Sequence, residues 1–180
     1  IKEAVMSELL SNTIEMIKPL DRGAMAEARS RQDMLTKPQG SLGRLEELSI
    51  QLAGIQGKPI PQIRNKAIIT MAGDHGVVAE GVSLFPQEVT AQMVYNFLRG
   101  GAGINVIARQ VGARVVVVDM GVATKLEPNP QLLSRKVALG TKNMTLGPAM
   151  TIEQAVTAIE AGIEVVGAEV AKGLDIVGTG

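Results

Sequence analysis

The stretch RVVVVDM, residues 114–120, places four consecutive β-branched residues before an aspartate. Two other apolar runs, AIITM at residues 67–71 and LDIVGTG at residues 174–180, have the same character. None of the three alternates apolar with polar residues, and continuous apolar runs are typical of parallel strands that are covered on both faces. We therefore predict three strands of a parallel sheet.

Helical patterns surround these strands. Ser41 is the predicted N-cap of one helix, and Thr151 with Gln154 has the spacing of a capping box at the start of another. The segment 123–146 has polar turns and is predicted to be a long excursion. Strands that alternate with helices indicate an α/β fold, a parallel sheet flanked by helices. Apolar spacings of three and four residues predict helices over 3–17, 21–35, 42–55, 87–98, 102–111 and 152–172.

The composition excludes several classes of partner. The 18 basic and 18 acidic side chains of the 180 residues cancel, so no net charge recruits nucleic acid or an anionic membrane. Aromatic residues that would stack on bases are scarce, and no apolar stretch approaches the roughly 20 residues that span a bilayer. The absence of cysteine fits a reducing cytoplasm. We predict neither a nucleic-acid nor a membrane partner, and a cytoplasmic location.

Polar residues and glycines follow each predicted strand. Asp74 and His75 come after the first strand, Asp119 ends the second, and Gly178 and Gly180 end the third. Ligands of parallel α/β sheets bind at the carboxyl ends of the strands, which share one edge. The sequence therefore predicts one ligand crevice at this edge.

Two interpretations of Asp74 and His75 remain open from the residues alone. Both side chains line the crevice, or Asp74 caps the following turn while His75 satisfies buried carbonyl groups. A metal site is disfavoured, because one histidine and one aspartate are two ligands where zinc requires three or four. We predict no metal and no cofactor.

The segment GVVAEGVSLFPQEVT, residues 76–90, mixes apolar and hydrogen-bonding groups ahead of a helix. A planar apolar ligand could lie against Phe85, with Gln87 or Gln92 recognising its edge and Pro86 suited to the first helical turn. The alternative is a long surface loop without a ligand.

The segment RGGAG, residues 99–103, opens a helix with free backbone N–H groups around Gly101. Such a turn can hold a phosphate or carboxylate, although tight helix packing explains it equally well. The glycine fingerprint of dinucleotide-binding proteins is missing after the first strand, so a dinucleotide-dependent oxidoreductase is the less favoured alternative.

Taken together, these stretches resemble one family, the nicotinate-nucleotide–dimethylbenzimidazole phosphoribosyltransferases of cobalamin lower-ligand assembly. The resemblance extends from about Lys37 to Gly180, whereas the first 35 residues match only as a helical opening. The segments that carry it are KPQGSLGRLEEL (37–48), AGDHGV (72–77), EGVSLFPQEVTAQM (80–93), RGGAGINVIA (99–108), VVVVDMGV (115–122) and GPAMT (147–151).

The resemblance implies a Rossmann-like parallel sheet with a small helical domain, assembled as a homodimer. Residues 1–36 would belong to the helical domain, and residues 37–180 would form the first part of an α/β domain that ends mid-domain. It also implies two small-molecule substrates. A benzimidazole nitrogen attacks C1′ of nicotinate mononucleotide, nicotinate leaves, and α-ribazole 5′-phosphate forms.

The resemblance also implies which residues contact these substrates. Phe85, Pro86 and Met93 would form the pocket of the base, and Asp74 and His75 would shape its floor. Phe85 stands where some members have serine, and Met93 where some have glutamine, so a less polar recognition of the base is expected.

Members of the family are about twice as long as this chain, and we expect the chain to be truncated. Their catalytic glutamate lies in the second half, so the general base is expected beyond residue 180. The resemblance leaves the catalytic residue unassigned within this chain and adds Gln87, Gly101, Asp119, Gly178 and Gly180 as substrate-binding candidates. A half-enzyme that binds a base or nucleotide without turnover is the main alternative.

Overall fold

The structure, a computed structural model, describes residues 7–180. The predicted start of the first helix, residues 3–6, therefore lies outside the described residues, and within them the helix α1 spans Glu8–Glu15. The contacts group the chain into a helical unit, Ile14–Ile63, and an α/β unit of Arg64–Gly180 together with the described residues up to Thr13. The predicted boundary between residues 36 and 37 falls inside the helical unit, because the two helices on either side of it pack on each other.

These two helices are α2 (Arg22–Met34) and α3 (Arg44–Gln56). Their interface buries Ala28 of α2 against Ile50 and Ala53 of α3. Asp21 caps α2, because its carboxylate accepts a hydrogen bond from the Ala24 N–H at 2.9 Å.

The prediction that Ser41 caps α3 is wrong. The turn that precedes the helix continues to Gly43, which occupies the N-cap position without a side-chain hydrogen bond. Glu46 organises this turn instead: its Oε1 accepts from the Leu42 N–H at 3.1 Å and lies 2.7 Å from Lys37 Nζ. The hydrogen bond from Lys37 lowers the pKa of Glu46, so this carboxylate is ionised at neutral pH.

The α/β unit contains four parallel strands: β1 (Lys66–Gly73), β2 (Ala113–Gly121), β3 (Leu132–Ser134) and β4 (Ile176–Thr179), in the spatial order β3-β2-β1-β4. The predicted α/β fold with a parallel sheet is confirmed. The excursion at 123–146 contains β3, a strand that the sequence analysis missed. Besides most of α1, this unit contains α4 (Glu88–Leu98), α5 (Gly103–Val111) and α6 (Ile152–Val170), and a short 3-10 helix (Gly76–Glu80) follows β1.

Helices cover both faces of the sheet at β1 and β2, which explains the continuous apolar runs of these two strands, whereas Ile176 and Val177 of β4 are exposed. On one face, Ala72 and Val117 pack in a cluster with Val94 of α4. On the other face, Ile69 and Val118 pack against Val165 of α6. Because neighbouring strand residues point to opposite faces, a strand that is covered twice needs apolar residues at consecutive positions.

The ends of α6 are held by polar contacts. The predicted capping box is present, since the Gln154 N–H donates to Thr151 Oγ1 at 3.2 Å and the Thr151 N–H donates to Gln154 Oε1 at 2.9 Å. Near the other end, the buried Glu169 carboxylate lies 2.6 Å from both Lys172 and Arg114. Lys172 and Arg114 lower the pKa of Glu169, with the hydrogen bond from Lys172 contributing most. Within residues 7–180, no helix combines the length and apolar character needed to cross a bilayer.

Candidate functional site at the carboxyl edge of the sheet

Two clefts lie at the carboxyl edge of the sheet within the α/β unit. The first, which we call the α4 cleft, has a volume of about 470 Å³ and lies between the end of β1, residues 82–90, α4 and Gly180. The second, the α6 cleft, has a volume of about 410 Å³ and lies between the ends of β1 and β2, residues 137–142 and the start of α6. Residues Gly73–His75 line both clefts and form their common wall.

Asp74 holds this wall in place through backbone and side-chain hydrogen bonds. Its N–H donates to the Gly121 carbonyl at 3.0 Å, and its own carbonyl accepts from the Thr141 N–H at 2.9 Å. Its carboxylate Oδ2 accepts from the Ala123 N–H at 2.7 Å. The residue is only 6% exposed. Asp74 thus caps the segment that follows β2, rather than the turn that follows Asp74 itself.

His75 has a different environment from its neighbour. Its backbone forms a bridge with Thr141, while the residue is exposed and lines both clefts. The imidazole makes no hydrogen bond to any group in residues 7–180, so it does not satisfy buried carbonyls there. The next residue is Gly76, and a larger residue would not fit there without a shift of the backbone. A Cβ at this position would lie 2.6 Å from the backbone nitrogen of Asn143.

The loop before α4 brings Phe85, Pro86 and Gln87 to the α4 cleft, and α4 itself contributes Met93. Ser83 shapes this loop, since its hydroxyl accepts from the Phe85 N–H at 3.2 Å and donates to the Phe85 carbonyl at 3.0 Å. Phe85 is 67% exposed, so a large part of its ring is free to contact a ligand. Pro86 lies just before the helix, with Gln87 at the N-cap position.

Asp119 lies outside the lining of both clefts. It is 3% exposed, and its Oδ1 accepts from the N–H groups of Gly121 and Val122 at 3.1 and 2.9 Å. Its Oδ2 lies 2.9 Å from Lys136 Nζ, which also donates to the Val122 carbonyl. The structure thus engages both carboxylate oxygens of Asp119 in the turn after β2.

The three candidate glycines are also separated by the fold. Gly180 lines the α4 cleft, where its N–H donates to the Ile69 carbonyl and its carbonyl accepts from the Met71 N–H, each at 3.0 Å. Gly178 lies within β4, where a Cβ would come 2.7 Å from Cδ1 of Ile68. Gly101 lies in the turn between α4 and α5, outside both clefts. The structure brings Asp74, His75, Phe85, Pro86, Gln87, Met93 and Gly180 together and leaves Gly101, Asp119 and Gly178 apart.

The sequence analysis overlooked Thr70, which lines the α4 cleft from within β1. The signal that could have identified it in the sequence is the single hydroxyl residue near the end of the apolar run AIITM. The titratable groups in this lining are Asp74 and His75, and the surface is otherwise mainly apolar. Such a cleft suits a neutral, planar, mostly apolar ligand that is oriented by a few polar groups. Among the described residues, 7–180, no three His, Asp or Glu side chains are grouped to hold a metal ion.

The fold and this cleft define the class: an α/β protein with a parallel sheet and an apolar cleft at its carboxyl edge. The sequence profile of a family described as "Phosphoribosyltransferase" matches residues 17–180. The chain belongs to this phosphoribosyltransferase family, which confirms the family resemblance found in its motifs.

The relatives of this chain described next share one enzyme name. The nicotinate-nucleotide–dimethylbenzimidazole phosphoribosyltransferase of Dehalococcoides mccartyi is 60% identical over 173 residues, covering 96% of this chain and 49% of the relative. That of Chloroflexus aurantiacus is 58% identical with the same coverage. A crystal structure of the enzyme of this name from Thermus thermophilus superimposes with a TM-score of 0.87 at 49% identity, covering 89% of this chain and 49% of that one. The chain spans about half the length of these relatives.

Proposed function

We propose that the whole protein transfers the phosphoribosyl group of nicotinate mononucleotide to 5,6-dimethylbenzimidazole or a related base, and that the α4 cleft holds this base. The observation that carries the proposal is the apolar α4 cleft, because it is lined by the segments in which the chain matches the family. A fused aromatic ring would lie against Phe85 and Pro86, with Met93 on the α4 side.

The reaction needs orientation more than activation. The pyridinium ring of nicotinate mononucleotide is already a good leaving group, so the protein has to align a benzimidazole nitrogen with C1′. The bond from C1′ to the nicotinate nitrogen breaks as the bond from C1′ to the benzimidazole nitrogen forms. The proton on the other benzimidazole nitrogen must then pass to a base.

Neither titratable residue in the α4 cleft is our candidate for this base. Asp74 is committed to the Ala123 N–H, and His75 lies at the wall between two clefts. We propose that these two residues shape the floor of the site. The resemblance assigns the general base to a glutamate outside residues 1–180. We further propose, from the same resemblance, a homodimer located in the cytoplasm.

The test is a product assay on the full-length protein. After incubation with nicotinate mononucleotide and 5,6-dimethylbenzimidazole, we expect mass spectrometry to detect α-ribazole 5′-phosphate and an equimolar amount of free nicotinate. Omission of the benzimidazole is the control and should release no nicotinate. A well-folded full-length protein that yields no product contradicts the proposal. Binding of the base without product would favour the alternative, a base-binding protein without turnover.

A further inference from the structure

The carboxylate of Glu80 joins the 3-10 helix (Gly76–Glu80) to the segment 141–145. Its Oε1 accepts from Asn143 Nδ2 at 2.6 Å and from Thr145 Oγ1 at 3.1 Å. The amide of Asn143 is oriented for this contact, because its Oδ1 accepts from the Thr145 N–H at 3.0 Å and its Nδ2 remains as the donor. These three side chains form what we call the Glu80 latch, and hydrogen bonds to a carboxylate are stronger than those between neutral groups.

The 3-10 helix is held differently at its two ends. At its start, the Gly76 N–H donates to the Thr141 carbonyl at 3.1 Å, so the backbone itself makes the connection. At its end, the hydrogen bonds to the same segment are those of the Glu80 carboxylate. A change of one side chain can therefore release the end of the helix while its start stays bonded.

This helix and the loop that follows it form one side of the α4 cleft. Val77 and Val78 of the helix line the cleft, and Phe85 lines it from the loop. Glu80 itself does not belong to the lining. Any movement of the end of the helix therefore changes the shape of the cleft wall without removing a residue from it.

The loop between Glu80 and Pro86 has little else to hold it in place. The hydrogen bonds found there within residues 7–180 are local, such as those between Ser83 and Phe85. Packing contributes little, since Val82, Leu84 and Phe85 are 68%, 97% and 67% exposed. The position of Phe85 thus depends on two anchors, α4 after the loop and the Glu80 latch before it.

We propose that Glu80 is a positioning residue for the aromatic base: its latch holds Val77, Val78 and Phe85 in the arrangement that binds the ring in the α4 cleft. The identity of the ligand rests on the proposed function. Without the latch, the loop adopts further positions in which this wall of the cleft is not formed. The affinity for the base then falls in proportion to the fraction of molecules that keep the wall in place.

The experiment measures kcat and the KM of each substrate by the product assay on the full-length protein. The wild type is compared with Glu80→Ala, with Glu80→Gln and with the control Glu88→Ala. Glu88 is exposed and close to the same loop, and its carboxylate has no hydrogen bond or ion pair within residues 7–180. We expect Glu80→Ala to raise the KM for 5,6-dimethylbenzimidazole about 5-fold and to leave kcat and the KM for nicotinate mononucleotide unchanged. Glu80→Gln keeps a carbonyl acceptor, so it should behave like the wild type, as should Glu88→Ala.

An exchange of donor and acceptor tests the latch itself. Asn143→Asp keeps the acceptor for the Thr145 N–H but sets a second carboxylate against Glu80, so the KM for the base should rise at least as much as in Glu80→Ala. In the double variant Glu80→Gln/Asn143→Asp an amide again faces a carboxylate, and this KM should return close to that of the wild type. A defect at residue 143 that is unrelated to the latch would not be repaired by a change at residue 80.

The pattern of the two KM values separates positioning from a general loss of stability. Because Glu80 is exposed, the melting temperature of Glu80→Ala should stay within about 2 °C of that of the wild type. An unchanged KM for the base in Glu80→Ala overturns the inference, as does an equal rise in both KM values or a double variant no better than Asn143→Asp. These three results leave the proposed function intact, whereas a wild type that yields no product contradicts both.

Discussion

Two aspartates occupy matching places at neighbouring strands and yet have different environments. Asp74 follows β1 and lines two clefts, with one N–H bonded to its carboxylate. Asp119 lies near the end of β2, and its carboxylate is surrounded by two N–H groups and the Lys136 ammonium. In the sequence both are acidic residues after an apolar run and close to a glycine.

The path of the chain after each strand accounts for the difference. After β2 the backbone turns back, so that the N–H groups of Gly121 and Val122 reach Asp119 itself. After β1 the chain leaves in a 3-10 helix (Gly76–Glu80), and the carboxylate of Asp74 bonds to a residue far along the sequence. An aspartate at a strand end is therefore a ligand candidate only when the following turn does not use its oxygens.

The largest expected effect comes from removing the Asp119 carboxylate. Asp119→Ala leaves two backbone N–H groups and the Lys136 ammonium without their partner, so we expect the free energy of unfolding to fall by about 3 kcal/mol. Asp74→Ala removes a single charge-assisted hydrogen bond and should cost about 1.5 kcal/mol. Urea denaturation of both variants measures the two values.

The two aspartates should differ in binding as well as in stability. A sufficiently stable variant for this purpose is Asp119→Asn, which keeps an acceptor for the Gly121 and Val122 N–H groups. Its affinity for 5,6-dimethylbenzimidazole should equal that of the wild type, because Asp119 lies outside both clefts. A marked loss of affinity in a stable Asp119→Asn variant would contradict the conclusion that Asp119, unlike Asp74, lies outside the binding cleft.

An effect on stability between those of the two aspartate-to-alanine variants is expected at Gly76, where the chain after β1 meets residues 141–143. A methyl group at Gly76 would lie 2.6 Å from Asn143 N and from the Lys142 carbonyl carbon, and backbone atoms yield only if the loop moves. We expect Gly76→Ala to lower the free energy of unfolding by about 2 kcal/mol, as overpacking does. Gly147→Ala is the matched control, since a methyl group there meets nothing within 4 Å. Equal unfolding midpoints for the two variants would show that this contact does not form.

The smallest effect on stability is expected at His75, and this prediction sharpens the contrast with Asp119. The imidazole is exposed and lacks a hydrogen bond among residues 7–180, so His75→Ala should change the free energy of unfolding by less than about 0.5 kcal/mol. If His75 contributes to the floor of the site as we propose, the affinity for 5,6-dimethylbenzimidazole should fall about 5-fold. Calorimetric titration decides this, and a destabilised variant with unchanged affinity would reverse the assignment.

The regular parts of the α/β unit were predictable because each is encoded by its own residues. The runs at 67–71 and 114–120 lie within β1 and β2, and the capping box of Thr151 and Gln154 is present. β3 was missed because it is three residues long and is defined by its pairing with Val117–Asp119. Ser41 failed as a cap because the turn before α3 is organised by Glu46 and Lys37, whose pairing the local pattern does not contain.

The candidate site likewise has features that the sequence predicted and features that it did not. Its location at the carboxyl edge and the residues near Phe85 followed from motif order, because parallel strands bring their carboxyl ends to one edge. Thr70 was missed because a single hydroxyl residue within an apolar run does not by itself show that the residue lines a cleft. Asp119 entered the list of candidates because its sequence context cannot show where Lys136 lies.

The sequence by itself determined the α/β class, the family and the edge of the sheet that carries the cleft. These depend on periodicity, on short motifs and on the geometry common to parallel sheets. Only the tertiary structure decided which polar groups at that edge are already bonded and which are free. Hydrogen bonds such as the one from the Ala123 N–H to Asp74 join residues 49 positions apart. Their formation depends on distances of a few tenths of an ångström, and no local pattern of residues specifies distances of that kind.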